Sequence, residues 1–148
     1  MVHLYSDMEE FDILYEAQLG PWLKEIASKE DNTLSDLSYV FCDDAQITSI
    51  NRQFLQHDYP TDIITFPYEY HPVEAEIYIS IPTVRANAMR FGVSFESEYL
   101  RVIAHGLLHM LGYNDKTEKE RDEMTRQENK TILLFESLYP KTLPEHKQ

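Results

Sequence analysis

The segment from His105 to Asp115 constrains this chain more than any other part of its sequence. It reads HGLLHMLGYND, with two histidines four residues apart in an apolar stretch. On a helix, positions i and i+4 lie on the same face, so both imidazole rings can reach one point in space. Gly112 is suited to end that helix because glycine readily adopts the left-handed conformation of a C-cap. The chain can then turn back and bring Asp115 to the same point.

Two ring nitrogens and one carboxylate oxygen, with a fourth position open, form the ligand set of a catalytic zinc site. The sequence therefore predicts that His105, His109 and Asp115 bind one Zn²⁺ ion. The alternative is a structural pair of histidines that binds no metal. If Asp115 is not a ligand, Glu118 or Asp122 on the following helix is the replacement.

An open position on zinc predicts hydrolysis of an ester, an amide or a phosphodiester, because zinc-bound water has a pKa of about 7. Zinc peptidases of the His-Glu-x-x-His type carry a general-base glutamate directly after the first histidine. This chain has Gly106 there. The spacing otherwise resembles the longer metzincin motif. A metzincin-like peptidase is therefore an alternative, but one without its usual base.

The composition limits the class of protein. A length of 148 residues with 43% hydrophobic residues fits one globular domain, which we assign to residues 1–139, with a frayed tail over 140–148. The single cysteine, Cys42, excludes an internal disulfide and fits a reducing compartment. Because the sequence has no signal-peptide pattern and no apolar run of membrane-spanning length, we expect a cytoplasmic protein that is not membrane-bound.

The charge of the chain argues against a free-standing nucleic-acid binder. Thirteen basic and twenty-six acidic residues give a net charge of −13. Domains that bind nucleic acid without a partner protein are usually basic, since neutralisation of the phosphates by lysine and arginine supplies much of the affinity. The acidity does not exclude an enzyme that touches RNA through a local patch or a basic partner.

Hydrophobic periodicity predicts the element order β-α-β-α-β-β-α-α-α. The predicted strands are 2–6, 36–42, 63–66, which Pro67 stops, and 76–81. The predicted helices are 9–30, kinked or broken at Gly20-Pro21, then 45–55, 83–91, the His105 helix capped by Ser94 or Ser97, and 117–137. The last helix has Met124, Ile132, Leu133 and Phe135 as candidate core residues. This order predicts an α+β fold: a small mixed sheet of about four strands packed with about five or six helices, and a metal site on a helix of the C-terminal half.

The His105–Asp115 segment closely resembles the signature of the YbeY family of bacterial endoribonucleases, which reads His-Gly-x-Leu-His-x-x-Gly-Tyr-Asp-His. A second similar block runs from Asn51 to Pro67, and a weaker one from Glu76 to Ser80. The resemblance implies a single-domain zinc protein that cleaves single-stranded RNA. It also implies roles in 16S rRNA 3′-end maturation and ribosome quality control, with the small ribosomal subunit or its assembly factors as partners. A non-catalytic, ribosome-associated zinc module is the alternative, and the oligomeric state stays open.

Two positions depart from the family pattern. Asp115 stands where the family usually has a third histidine, and a carboxylate should make a bound zinc ion a somewhat weaker Lewis acid. Leu55 stands where the family usually has an arginine that is thought to bind the RNA phosphate. Arg52, three residues earlier on much the same helix face, is a weak candidate for that catalytic role, and Lys116 is another.

Overall fold

Alternating apolar residues build a mixed sheet whose strand order is β1-β2-β4-β3. The computed structural model describes residues 1–55 and 61–144, apart from the side chain of Leu55. Within those ranges the strands are β1 (Val2–Ser6), β2 (Leu34–Cys42), β3 (Ile63–Tyr70) and β4 (Val73–Ser80). The pairs β1–β2 and β2–β4 are parallel, whereas β3 runs antiparallel to β4 and forms one edge of the sheet.

Five helices within the same ranges pack around this sheet, which confirms the predicted α+β fold and its element order. They are α1 (Glu16–Ser28), α2 (Asp44–Leu55), α3 (Ile81–Phe91), α4 (Phe95–Met110) and α5 (Glu118–Leu138). None of these helices is both long and apolar enough to cross a membrane.

Helix α4 is the centre of the main core. Its apolar residues are buried along nearly the whole helix, and they pack with the inward-facing side chains of β2 and β4 and with α1 and α5. The buried hydroxyl of Tyr39 on β2 donates a hydrogen bond to the carbonyl oxygen of Ile103, at 2.8 Å. A smaller cluster of Cys42, Ile47 and Ile64 packs α2 against the opposite face of the sheet. Helix α4 is therefore held in a fixed position over β3 and β4.

The first helix is shorter than predicted and is not broken. It begins at Glu16 instead of residue 9, since Tyr15 before it has a left-handed backbone (φ 59°) that a helix cannot continue through. Pro21 lies inside α1 and forfeits one backbone hydrogen bond. Trp22 and Leu23 are fully buried beside it, and this burial keeps the helix continuous.

The β3–β4 hairpin is longer than predicted. Strand β3 does not stop at Pro67 but continues to Tyr70, and β4 begins at Val73 instead of residue 76. An edge strand tolerates proline because its outer side has no neighbouring strand to bond. The hairpin turn contains the cis peptide His71–Pro72.

One predicted core residue of α5 is wrong. Met124, Ile132 and Phe135 are buried, but Leu133 is 64% exposed, because it follows Ile132 directly and so faces outward. Beyond α5, Leu143 packs partly against the main core. Residues 145–148 lie outside the described residues, so the frayed tail stays a prediction.

Candidate metal centre

A glycine brings the histidine helix close to the sheet. A Cβ atom on Gly106 would lie 2.9 Å from Ile77 Cδ1 and 3.1 Å from Ile63 Cδ1. Helix α4 therefore approaches β3 and β4 at the turn that carries His105. The same packing explains why no glutamate follows His105: its side chain would be pushed into the aliphatic groups of the sheet. The position that carries the general base in a zinc peptidase therefore packs against the sheet in this protein.

The end of α4 is a Schellman motif, as the sequence predicts for Gly112. The Tyr113 amide donates to the Leu108 carbonyl at 3.0 Å, and the Gly112 amide donates to the His109 carbonyl at 3.1 Å. Gly112 has a φ of +104°, which side-chain-bearing residues rarely adopt. This sharp reversal carries the chain back along α4 and brings Asp115 beside both histidines.

The three predicted ligands converge in one place. Oδ2 of Asp115 lies 3.4 Å from Nε2 of His105 and 3.3 Å from Nε2 of His109. One ligand atom from each residue lies within 4.8 Å of the other two. Atoms bound about 2.05 Å from a tetrahedral zinc ion are about 3.3 Å apart. The donor set and its spacing therefore fit a divalent metal, and the exposed side of Asp115 leaves the group open to solvent.

Glu128 of α5 orients His105 from behind. Its Oε2 accepts a hydrogen bond from Nδ1–H of His105 at 2.7 Å, so that in the neutral ring Nε2 is the unprotonated nitrogen, and Nε2 is the atom that lies toward Asp115. The guanidinium of Arg101 holds the other oxygen, Oε1, at 3.1 Å. Burial lowers the pKa of His105, but the hydrogen bond and charge of Glu128, together with Asp115 and Asp62, outweigh it and raise that pKa overall.

Glu128 is a site residue that the sequence did not predict, although its spacing carried a signal. It is almost fully buried, and it lies at helical spacing between Met124 and Ile132 on the face of α5 that packs on the core. A carboxylate on such a face is unusual unless it has a partner. Here the partners are His105 and Arg101, which both lie on α4.

The three ligands line a cleft of about 660 Å³ between the C-terminal half of α4 and edge strand β3. Thr61, Asp62 and Tyr70 line its opposite side. Desolvation by burial raises the pKa of Asp62, although the charge of His105 and two backbone hydrogen bonds oppose this. Asp62, which directly precedes β3, therefore faces the candidate centre.

A second cavity of about 530 Å³ adjoins the cleft and shares Asp62 and His105 with it. It also contains Glu98, Arg101 and Glu128. Desolvation by burial raises the pKa of Glu98 to about 7, against the opposing charge of Arg101. The region behind His105 is therefore rich in carboxylates.

The other sequence candidates lie elsewhere. Arg52 is exposed on α2, and neither it nor Lys116 is among the residues that line the described part of the cleft. Glu118 and Asp122 are exposed on α5 and do not join the three-residue group. His57, within the Asn51–Pro67 block that resembles the family, lies outside the described residues.

Known proteins resemble this chain over most of its length. A model of the family described as Endoribonuclease YbeY matches residues 5–136. The chain belongs to the YbeY endoribonuclease family. The Endoribonuclease YbeY of Bacteroides thetaiotaomicron is 44% identical over 114 residues, which are 76% of this chain and 83% of the relative. That of Parabacteroides distasonis is 39% identical over 132 residues, 88% of this chain and 93% of the relative.

The fold agrees with this assignment. The solution structure of a Thermotoga maritima protein superposes with a TM-score of 0.68 at 27% identity, covering 100% of this chain and 99% of the other. Family membership, predicted from the His105–Asp115 signature, is thus confirmed over most of the chain.

Proposed function

We propose that this protein is a metal-dependent endoribonuclease that cleaves single-stranded RNA during ribosomal RNA maturation. Its centre consists of one zinc ion held by His105, His109 and Asp115. The observation that carries the proposal is the convergence of these three ligand atoms in an open cleft of a YbeY-family chain.

The cellular role follows from the family. The relatives are named Endoribonuclease YbeY. We infer that the substrate is 16S rRNA near its 3′ end, that the protein acts in ribosome quality control in the cytoplasm, and that the small ribosomal subunit or its assembly factors are its partners. A basic partner would also offset the net charge of −13 when the protein approaches RNA.

The side chains have distinct parts in the reaction. A zinc ion bound here supplies a Lewis acid for a phosphoryl oxygen and acidifies a water molecule. Glu128 holds His105 in the tautomer that presents Nε2 to the cleft. Asp115 contributes negative charge, which partly neutralises a divalent ion. The partly buried carboxyl of Asp62 faces the same space and can exchange a proton with bound substrate or water.

The test compares cleavage of a single-stranded RNA by the wild type and by His109→Ala. We expect the variant to lose activity while its circular dichroism stays unchanged. His3→Ala is the matched control, because His3 lies on β1 and pairs with Asp36 away from the cleft. Equal cleavage by wild type and His109→Ala would identify a contaminating nuclease and reject the proposal.

Metal content tests the ligands separately. We expect about one equivalent of zinc in the wild type and much less in Asp115→Ala. Asp115→His, which restores the usual family residue, should retain the metal. Full metal content in Asp115→Ala would show that Asp115 is not a ligand. The ends of the RNA products would identify the nucleophile: a 2′,3′-cyclic phosphate indicates the ribose 2′-hydroxyl, and a 5′-phosphate indicates water.

A further inference from the structure

The cleft has little to hold an RNA strand by charge. Within the described ranges, none of the residues that line it is lysine or arginine, whereas Asp62 and Asp115 are acidic. Most single-strand binding surfaces combine a basic groove with aromatic side chains on which bases stack. A cleft without the basic groove depends more heavily on the stacking contribution.

An irregularity in β3 supplies an aromatic side chain at this point. Pro67 pairs with Ala75 and Glu69 pairs with Glu74, so two steps along β3 match one step along β4. Tyr68 is the extra residue, and the pairing resumes with Tyr70 opposite Val73. Such bulges change the direction in which the following side chains point.

The consequence is that Tyr70 and Pro67 share a face of the sheet. Their partners, Val73 and Ala75, are two residues apart and both lie in the core beneath α4. In a regular strand, Tyr70 would face away from α4. Instead, Tyr70 lines the cleft together with His105, and more than half of Tyr70 is exposed to solvent.

Tyr70 is exposed but well anchored. It is 56% exposed, and its carbonyl oxygen accepts a hydrogen bond from Nδ2 of Asn32 at 2.9 Å. A large aromatic residue that is more than half exposed and lines the same cleft as three candidate metal ligands offers a surface on which a nucleobase can stack.

We propose that the ring of Tyr70 stacks on an unpaired base of the RNA strand and so holds that strand in the cleft beside the metal centre. This inference rests on the proposed function. Bases inside a duplex do not expose a face for such stacking, so Tyr70 contributes to the preference for single-stranded RNA.

Binding of a 2′-O-methyl single-stranded RNA to the zinc-loaded protein tests the proposal directly, and a gel of the RNA after the titration verifies that it stays uncleaved. We expect Tyr70→Leu to weaken binding by between about fivefold and about 150-fold, as loss of one stacked base does. Tyr70→Phe should bind within about twofold of the wild type. Tyr68→Leu is the matched control on the same strand, where Tyr68 is similarly exposed (63%), and it should bind as the wild type does.

A fluorescence measurement separates stacking from a general change in the protein. Trp22 is the single tryptophan and is fully buried. Tyr70→Trp therefore adds an exposed indole, which we expect single-stranded RNA to quench and an equally long duplex to leave largely unchanged. Equal quenching by both RNAs would contradict stacking on an unpaired base.

Kinetics separates this inference from the proposed function. If wild type cleaves RNA, Tyr70→Leu should raise KM with kcat largely retained, and Tyr70→Phe should restore the wild-type KM. Unchanged binding and KM in Tyr70→Leu would overturn the role of Tyr70 and leave the nuclease proposal intact. Equal losses in Tyr70→Phe and Tyr70→Leu would assign the effect to the hydroxyl group and also overturn stacking. Tyr70-dependent binding without cleavage by wild type would instead reject only the nuclease proposal.

Discussion

Glu128 carries the negative charge that fixes the orientation of His105. Its two carboxylate oxygens contact groups from the same helix, Nδ1 of His105 and the guanidinium of Arg101. A neutral amide keeps the size of the side chain but loses the charge-assisted hydrogen bond. Glu128 therefore supports the candidate metal centre although it is not one of the three candidate ligands.

We predict that Glu128→Gln binds zinc about tenfold to about 100-fold more weakly than the wild type, as loss of a partner behind a ligating histidine typically does. Competition with a chelating indicator dye measures the affinity. Glu123→Gln is the control on the same helix, since Glu123 pairs with the exposed Arg126. Unchanged affinity in Glu128→Gln would exclude an orienting role.

Glu98 makes stability depend on pH in an unusual direction. Burial raises its pKa from the ordinary value of 4.5 to about 7. Between these values the folded protein binds the proton more tightly than the unfolded chain does. The contribution of Glu98 to the free energy of unfolding is therefore full below pH 4.5 and falls as pH rises through 7.

We predict that Glu98→Gln is more stable than the wild type at pH 8, by about 1 kcal/mol after allowance for screening and for the lost contact with Arg101. The advantage should shrink as the pH falls toward 4.5. Urea unfolding at the two pH values measures it. Glu96→Gln in the same helical turn should instead destabilise slightly at pH 8, because Glu96 lies at the positive end of α4. A wild type more stable than Glu98→Gln at pH 8 would contradict a destabilising charge at this position.

At the scale of elements, the reversal after α4 determines whether Asp115 reaches the histidines. Gly92 after α3 and Gly112 after α4 both have positive φ, of 67° and 104°, and a Cβ at either would meet nothing within 4 Å. The two glycines therefore have similar local surroundings. They differ in the segment that each turn leads into, since only the turn at Gly112 leads to a candidate ligand.

We predict that Gly92→Ala and Gly112→Ala each lower the free energy of unfolding by about 1 kcal/mol or more, since alanine is strained at positive φ. Gly112→Ala alone should also weaken zinc binding, because relief of the strain moves Asp115. Thermal unfolding and zinc titration of both variants separate the two effects. Equal zinc affinity in the two variants would show that Asp115 is positioned independently of this turn.

The sequence predicted those elements whose signals are local. Ser94 caps α4 as one of the two expected serines, accepting from the Ser97 amide, and Gly112 ends the helix. The failures depended on tertiary context. Pro67 stays in β3 because that strand is at the edge of the sheet, and Pro21 stays in α1 because buried neighbours hold the helix.

In the candidate site, too, the residues with local sequence signals were predicted and those that depend on tertiary packing were not. The spacing of His105, His109 and Asp115 lies within one helix and turn, so the sequence contains it. Glu128 and Tyr70 reach the site from α5 and β3. Their approach depends on helix packing and on a one-residue change of register. The spacing of Glu128 on α5 signals a buried carboxylate, but the sequence without its fold does not show that this carboxylate reaches His105.

At the scale of the whole molecule, the net charge of −13 determines how RNA binding responds to salt. A protein that neutralises six or more phosphates of a single strand loses about 300-fold or more in affinity between about 50 mM and about 200 mM salt, because counterions are released from the nucleic acid. The cleft of this protein presents three candidate metal ligands and Tyr70, but no lysine or arginine among the described residues that line it.

We therefore predict a shallow salt dependence. The affinity of the zinc-loaded protein for a non-cleavable single-stranded RNA should fall by less than about tenfold over the same range, because few phosphates are neutralised and salt also screens repulsion from the acidic surface. Fluorescence anisotropy at several salt concentrations measures the slope, and a basic single-strand binding protein serves as the reference. A slope as steep as the reference would mean that RNA binds on a basic surface outside the cleft, and the metal cleft would then contribute little to affinity.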